Sequence, residues 1–249
     1  MIDKFVGVYA GRKYSGTDDN YRPSEAIESR RVVNESAPNL TVLFPPWRGG
    51  ESAYNLLTKR LVKSSSAVLQ YKFSPQILEP NVSRVVESFE RIQSEVTEDL
   101  EKLTFCNRYD QVNFVASSLG NVSLGLVAKR FPEFTGATMI VAGSNLARSA
   151  WEGSRTQHIR QALELQGMSE DALDEAWAKL APKNSATAFE GKPVHLLVST
   201  TDEVIPAHYQ HEMVDTVSSA GVIATVDSYR TGHIATVARY CLSEHAKLK

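Results

Sequence analysis

Ser118 lies where a buried strand is predicted to run into a tight turn and then a helix, and this corner constrains the fold more than any other feature. Residues 111–120 predict the strand and the turn, and the apolar segment after them predicts the helix. Ala116 and Gly120 stand two places before and after the serine. A serine flanked by such small residues is typical of a nucleophile elbow, whose strained turn excludes larger side chains there.

The elbow pattern has alternatives within the same segment. The usual motif is Gly-x-Ser-x-Gly, and here alanine replaces the first glycine. Taken alone, the pattern also fits a serine in an ordinary strand-to-helix loop. Ser117 would place Val115 and Leu119 at the two positions that must be small, and Ser123 falls inside the predicted helix. Ser118 is therefore the preferred nucleophile.

Two later loops carry an acid and a base at predicted strand ends. Residues 194–200 predict a strand, and Asp202 follows it on a loop. Residues 222–228 predict another strand, which is followed by a Gly-His pair ending at His233 and then by an apolar helical segment. The candidate residues thus occur in the order serine, aspartate, histidine.

On these residues the chain resembles the α/β-hydrolase family, from about Asn39 to its C-terminus. The resemblance implies one α/β domain over residues 1–249, with a mostly parallel central sheet flanked by helices. It also implies a catalytic triad of Ser118 as nucleophile, His233 as general base and Asp202 as the acid that orients the histidine. The expected activity is a cofactor-free serine hydrolase that acts on carboxylic esters or thioesters through an acyl-enzyme.

The resemblance also implies an oxyanion hole, formed by two backbone N–H groups. One donor is expected at Leu119, directly after the nucleophile. The other is expected on the loop after a predicted strand at residues 40–44, where the family often has His-Gly and this chain has two prolines. Proline has no N–H, so Trp47 is the first residue of the loop that can donate. The alternative is a turn with a packed tryptophan. Arg48 is a substrate-pocket candidate for an acidic substrate, or else a solvent-facing or salt-bridged residue.

A helical cap is predicted over residues 144–188, inserted after the strand that follows the nucleophile. It contains predicted helices at residues 155–165 and 169–180. Family members carry a cap or lid at this place, so its apolar side chains are expected to line the substrate pocket. The alternative is that they are core contacts which hold the cap on the sheet. These side chains are Trp151, Met168, Leu173 and Trp177.

The remaining segments predict alternating strands and helices. Residues 83–103 predict an amphipathic helix, since their apolar residues recur at steps of three and four. Such alternation implies a mostly parallel sheet with the candidate site residues gathered at the carboxyl ends of its strands. Further strands are predicted at residues 5–10, 30–34, 67–73 and 138–142.

The first 38 residues match no pattern that identifies a function. Residues 11–25 are polar and rich in turn signals, so they predict a loop. An edge hairpin, a flap over the site and a dimer contact are the alternatives for this region. The sequence leaves the oligomeric state open, and a homodimer is one alternative.

The amino-acid composition limits the classes of molecule that this protein is expected to bind. A chain of 249 residues with 42% hydrophobic residues can bury a sizeable core. Its net charge of −2 argues against nucleic acid or an anionic membrane as the main partner. No apolar run approaches the roughly 20 residues that span a bilayer. The predicted partner is a small-molecule acyl substrate.

Cysteine and histidine usage argues against a metal site and for a reducing compartment. Cys106 and Cys241 are too few for a disulfide framework, and the chain begins without a signal-peptide pattern, so a cytoplasmic location is predicted. His208 and His211 have a spacing that can chelate a metal, but they have no third ligand nearby. No glycine-rich phosphate loop occurs, so no cofactor is predicted.

Other functions fit the same residues. A peptidase, a C–C hydrolase or an acyltransferase uses the same triad, and a lyase could use it as a base without an acyl-enzyme. A non-catalytic binding or scaffold module on the same fold is the alternative from a different class. Two departures from the α/β-hydrolase pattern leave this alternative open: the alanine at the elbow and the two prolines of the oxyanion loop.

Overall fold

A single sheet of seven strands forms the centre of the computed structural model, which describes residues 21–48 and 50–243. The strand order is β1-β3-β2-β4-β5-β6-β7. β1 is antiparallel to β3, and every other neighbouring pair is parallel. The strands are β1 (Ile27–Val33), β2 (Asn39–Phe44), β3 (Ser66–Phe73), β4 (Gln111–Ser117), β5 (Gly136–Ile140), β6 (Pro193–Ser199) and β7 (Ile223–Tyr229).

Helices connect the parallel strands and cover both faces of the sheet. They are α1 (Glu51–Lys63), α2 (Val82–Cys106), α3 (Gly120–Arg130), α4 (Leu146–Glu152), α5 (Gln157–Leu165), α6 (Glu170–Ala176), α7 (Ala207–Ser219) and α8 (His233–Leu242). The mostly parallel α/β sheet predicted from the sequence is confirmed. The strand predicted at residues 5–10 and the first part, residues 11–20, of the loop predicted at residues 11–25 lie outside the described residues.

Successive residues of each central strand point to opposite faces, and both faces are buried. In β4, Phe114 packs in the larger core cluster with α2 and α3, whereas Val115 packs in the smaller one with α1 and α8. Burial on both sides explains why these strands are nearly continuous apolar runs.

The amphipathic helix predicted at residues 83–103 is α2, which extends slightly further at both ends. Asn81 caps it, since its side chain accepts a hydrogen bond from Arg84 N at 3.1 Å. Of the apolar residues at the predicted spacing, Leu103 is partly buried and the others are buried in the core: Val85, Phe89, Ile92, Val96 and Leu100.

Two helices and several element boundaries differ from the predictions. Helices α1 and α4 were not predicted, although the buried face of α1 carries Tyr54, Leu57 and Leu61 at helical spacing. The strand predicted at residues 138–142 stops earlier because Val141 takes a left-handed conformation, with φ of 46°. The helix predicted at residues 169–180 is α-helical only to the end of α6, and a 3₁₀ turn follows it.

The segment between β5 and β6 is the predicted cap region, and it is fastened on two sides. The Trp177 indole is buried, with 1% of the residue exposed, and its Nε1 donates to Val82 O on α2 at 3.2 Å. On the other side, Ser154 N donates to Glu203 O at 2.9 Å, on the loop between β6 and α7. These bonds tie the helices of the segment both to the sheet-packed helix α2 and to the loop that contains Asp202.

Neither cysteine of the chain is in a disulfide. Cys106 is exposed at the end of α2, and Cys241 is buried on α8, where burial raises the thiol pKa to about 12. Among residues 21–48 and 50–243, no helix combines the length and apolar character needed to cross a bilayer. The cytoplasmic location stays a prediction.

The beginning of α3 lies directly against the end of β2, and the contact requires glycine. A Cβ atom at Gly120 would lie 2.3 Å from Phe44 O and 2.7 Å from Pro45 O, both of which are backbone atoms. A side chain there would push α3 away from the sheet or displace the loop after β2. The small residue that the elbow pattern predicts at this position therefore has a steric cause.

We expect Gly120→Ala to lower the free energy of unfolding by roughly 1–3 kcal/mol or more, because the added methyl group overpacks a backbone contact. Urea unfolding measures the change. Gly232→Ala is the matched control, since no atom lies within 4 Å of its Cβ position and its φ is −65°. Its stability should stay within about 1 kcal/mol of the wild type. Equal stability of the two variants would contradict the close contact.

Candidate active site

Ser118 sits on the turn between β4 and α3 in a left-handed backbone conformation, with φ of 52°. This region is uncommon for residues other than glycine and indicates local strain. The neighbouring strand holds the turn in place: Ser118 N donates to Ile140 O at 2.9 Å. Asn121 Nδ2 donates to Ser118 O at 2.9 Å and to Ile140 O at 3.1 Å. Hydrogen bonds to β5 therefore maintain the strained elbow predicted from the sequence.

The two alternative candidates for the nucleophile, Ser117 and Ser123, are both buried. Ser117 is fully buried, and its hydroxyl is hydrogen-bonded to the Tyr54 hydroxyl at 2.9 Å. Ser123 is fully buried inside α3. Ser118 is half-buried and lines two neighbouring cavities. Of the three serines, it is the one with access to a ligand.

Asp202 and His233 form a close pair at the ends of β6 and β7. His233 Nδ1 lies 2.7 Å from Asp202 Oδ2, and the carboxylate is fully buried. An ionised carboxylate only accepts hydrogen bonds, so Nδ1 carries the proton and Nε2 is left as the acceptor. Asp202 Oδ1 accepts from Val204 N at 2.8 Å and from Ile205 N at 3.0 Å. The pair has the arrangement of a base oriented by an acid.

Ser118 and His233 line the same cavity, whose volume is about 360 Å³ including its open mouth. In the described part of the chain, no hydrogen bond joins Ser118 Oγ to the imidazole. Catalytic hydrogen bonds are often long without a substrate and tighten in the reacting complex. The structure thus brings the three predicted residues to one edge of the sheet, with the histidine already oriented.

The two predicted oxyanion donors both border a second cavity, of about 510 Å³ including its open mouth, together with Ser118. Leu119 is the residue before α3, where the helix dipole favours negative charge. Within residues 21–48 and 50–243, neither Leu119 N nor Trp47 N donates a hydrogen bond. The two backbone N–H groups are thus not used by the described residues.

The Trp47 side chain anchors the loop that carries its N–H group. Nε1 donates to Pro75 O at 2.7 Å, and the ring stacks on His158 with centroids 6.3 Å apart. The guanidinium of Arg48 lies 4.4 Å from the ring centroid, a cation–π distance. Burial, followed by the charge of Arg48, lowers the pKa of His158. Trp47 is thus also the packed tryptophan of the alternative interpretation, and the two roles are compatible.

The larger cavity has a mostly apolar wall. Among the described residues, its lining does not include Arg48, Trp151 or Trp177, the predicted pocket candidates. Trp177 lies in the core against α2, which corresponds to its alternative of a packing contact. Arg48 packs on the Trp47 ring. The lining side chains include Leu78, Val122, Leu146, Ala150, Val204 and Ile205.

Sequence reasoning missed two residues of the site. Arg155 lines both cavities. Gln210, on the first turns of α7, hydrogen-bonds to Asp202 at 2.9 Å. The sequence offers no local signal for Gln210, because its importance depends on a contact with a loop eight residues away. His208, beside it, lies 3.7 Å from Glu152. Among the described residues, no three His, Cys, Asp or Glu side chains are grouped to hold a metal ion.

Comparison with known proteins gives structural matches only. No protein-family model matches the chain, and no curated protein matches it in sequence. An esterase from an Arctic intertidal metagenomic library superposes with a TM-score of 0.59 at 12% identity, over 85% of this chain and 80% of that chain. Est1E from Butyrivibrio proteoclasticus, with bound ferulic acid, gives 0.57 at 14% identity, over 88% and 90%.

The Pyrococcus horikoshii acylaminoacyl peptidase also matches, with a TM-score of 0.59 and 13% identity, over 80% of this chain. The chain spans only 33% of that peptidase. Identities of this size establish the architecture and leave the reaction to the site residues. The sheet order, the elbow and these matches together show that this chain has the α/β-hydrolase fold.

Proposed function

We propose that this protein is a serine hydrolase that cleaves carboxylic esters or thioesters through an acyl-enzyme on Ser118. One observation carries the proposal: the strained Ser118 shares a cavity with His233, whose Nδ1 is hydrogen-bonded at 2.7 Å to the buried Asp202. Because one fold supports many reactions, we infer the function from this site and not from the architecture.

The proposed reaction starts with attack of Ser118 Oγ on the acyl carbon while His233 Nε2 accepts the hydroxyl proton. Asp202 stabilises the resulting imidazolium and keeps its ring oriented. The N–H groups of Trp47 and Leu119 bind the oxyanion. The imidazolium then gives its proton to the departing alcohol or thiol. Water, deprotonated by the same histidine, hydrolyses the acyl-enzyme and restores Ser118.

The two cavities suggest how a substrate is oriented. His233 must protonate the leaving group, so the alcohol or thiol belongs in the smaller cavity, which His233 lines. The acyl group then extends into the larger cavity, whose wall is mostly apolar. An apolar wall favours an uncharged acyl chain. We therefore propose esters or thioesters with an apolar acyl group of small to medium size.

We expect a fluorophosphonate to form one covalent adduct on the wild type, detected by intact-mass spectrometry, and none on Ser118→Ala. Turnover of an activated ester should fall by roughly 10⁴-fold or more in that variant, since removal of a nucleophile abolishes the covalent route. Ser117→Ala is the matched control and should still be labelled, because the Ser117 hydroxyl faces Tyr54. A wild type that does not react would favour the non-catalytic binding module.

A substitution in the wall of the larger cavity tests the orientation of the substrate. Ala150→Phe should reduce the ratio of kcat/KM for a p-nitrophenyl octanoate over an acetate by roughly tenfold or more, because the ring fills space needed by a long chain. Ala172→Phe introduces the same ring at an exposed position of α6 and should leave the ratio unchanged. An unchanged ratio in Ala150→Phe would mean that the acyl chain binds elsewhere.

A further inference from the structure

Gln210 connects the catalytic acid to the strand that supports it. It lies on α7 and is buried, with 1% of its surface exposed. Its Nε2 donates to Asp202 Oδ2 and to Ile205 O, each at 2.9 Å. Its Oε1 accepts from Ser199 N, also at 2.9 Å. Both amide protons and the amide oxygen are thus used. The three partners lie at the end of β6 and at both ends of residues 202–205, the loop that carries Asp202.

The orientation of this amide follows from its partners. The Asp202 carboxylate and the Ile205 carbonyl can only accept, and the Ser199 N–H can only donate. A rotated amide would place its oxygen against two acceptors and its NH₂ group against a donor. Gln210 therefore has one satisfactory position, and in that position it fixes the plane of the Asp202 carboxylate.

The same network reaches the loop that carries the histidine. Ser199 is fully buried, its N–H binds Gln210, and its hydroxyl donates to Thr231 O, two residues before His233. Asp202 Oδ2 receives hydrogen bonds from both Gln210 and His233. The hydrogen bonds that hold Asp202 and those that hold the His233 loop therefore meet at Ser199, the last residue of β6.

We propose that Gln210 is a positioning residue for the Asp202–His233 pair. Gln210 holds Asp202 Oδ2 in place, and the hydrogen bond from His233 Nδ1 to this oxygen then orients the ring so that Nε2 points toward Ser118. This inference rests on the proposed serine hydrolase function. Other side chains do not reproduce the arrangement: methionine has neither donor nor acceptor of comparable strength, and glutamate would face Asp202 with a second carboxyl group.

The test compares Gln210→Met with the wild type in ester hydrolysis and in the rate of fluorophosphonate labelling. We expect kcat and the labelling rate to fall together by roughly ten- to a hundredfold, as for the loss of hydrogen bonds to a charged group that orients a catalytic side chain. KM should stay within about twofold, because Gln210 does not line either cavity.

Val217→Ala separates positioning from a general loss of stability. Val217 is fully buried on the same helix, and its truncation destabilises α7 without touching Asp202. At 25 °C, with both variants shown to be folded by circular dichroism, Val217→Ala should keep its kcat. If Gln210→Met also keeps its kcat, the inference is overturned. If Gln210→Met does not fold, the near-isosteric Gln210→Glu, which still accepts from Ser199 N, should show the same loss of kcat.

A double-mutant cycle shows whether Gln210 acts through Asp202. In an Asp202→Ala background, adding Gln210→Met should change kcat by less than about twofold. A further loss as large as in the wild-type background would overturn the inference. Failure of the proposed function gives a different result. In that case the wild type is not labelled by the fluorophosphonate, and Ser118→Ala has the same turnover as the wild type.

Discussion

A carboxylate buried away from water is costly unless hydrogen bonds satisfy its charge, and the structure around Asp202 meets this requirement. Backbone N–H groups of Val204 and Ile205 bind one oxygen, and Gln210 and His233 bind the other. A carboxylate held in this way cannot rotate without breaking several charged hydrogen bonds at once. The orientation of His233, and with it the proposed chemistry, depends on that rigidity.

The proposed nucleophile, Ser118, depends on a different constraint, which is steric. Ser118 adopts a strained conformation, and the strain persists because β5 binds its backbone while α3 begins in direct contact with the end of β2. Gly120 makes this contact possible. The turn that exposes the serine and the loop that carries the Trp47 N–H group are therefore packed against each other. This one contact therefore sets the position of Ser118, the proposed nucleophile, and the position of Trp47, a proposed oxyanion donor.

The parts of this arrangement that follow local rules could be predicted from the sequence. Small residues around Ser118, and polar residues directly after buried strands, led to Ser118, Asp202 and His233 without any structure. The structure places all three at the same sheet edge. Their catalytic roles stay proposals that the labelling experiment tests.

The parts that depend on contacts distant in sequence could not be predicted. Trp177 appears in the sequence as an apolar residue of a cap, and only the fold shows that its indole donates to Val82 O in the core. Gln210 stands between His208 and His211, whose spacing attracts attention, yet it is the glutamine that contacts Asp202. Long-range partners decide between such alternatives, and helical periodicity does not identify them.

In the proposed enzyme, the loop that carries Asp202 also links the catalytic pair to the acyl-binding cavity. Val204 and Ile205 donate their backbone N–H groups to Asp202, and both residues line the larger cavity. The loop is in turn bonded to the segment between β5 and β6, through Ser154 N and Glu203 O. An acyl chain that fills the larger cavity would therefore contact Val204 and Ile205, the same residues that hold the Asp202 carboxylate. In the proposed mechanism, the fit of the acyl group and the orientation of His233 depend on one short loop.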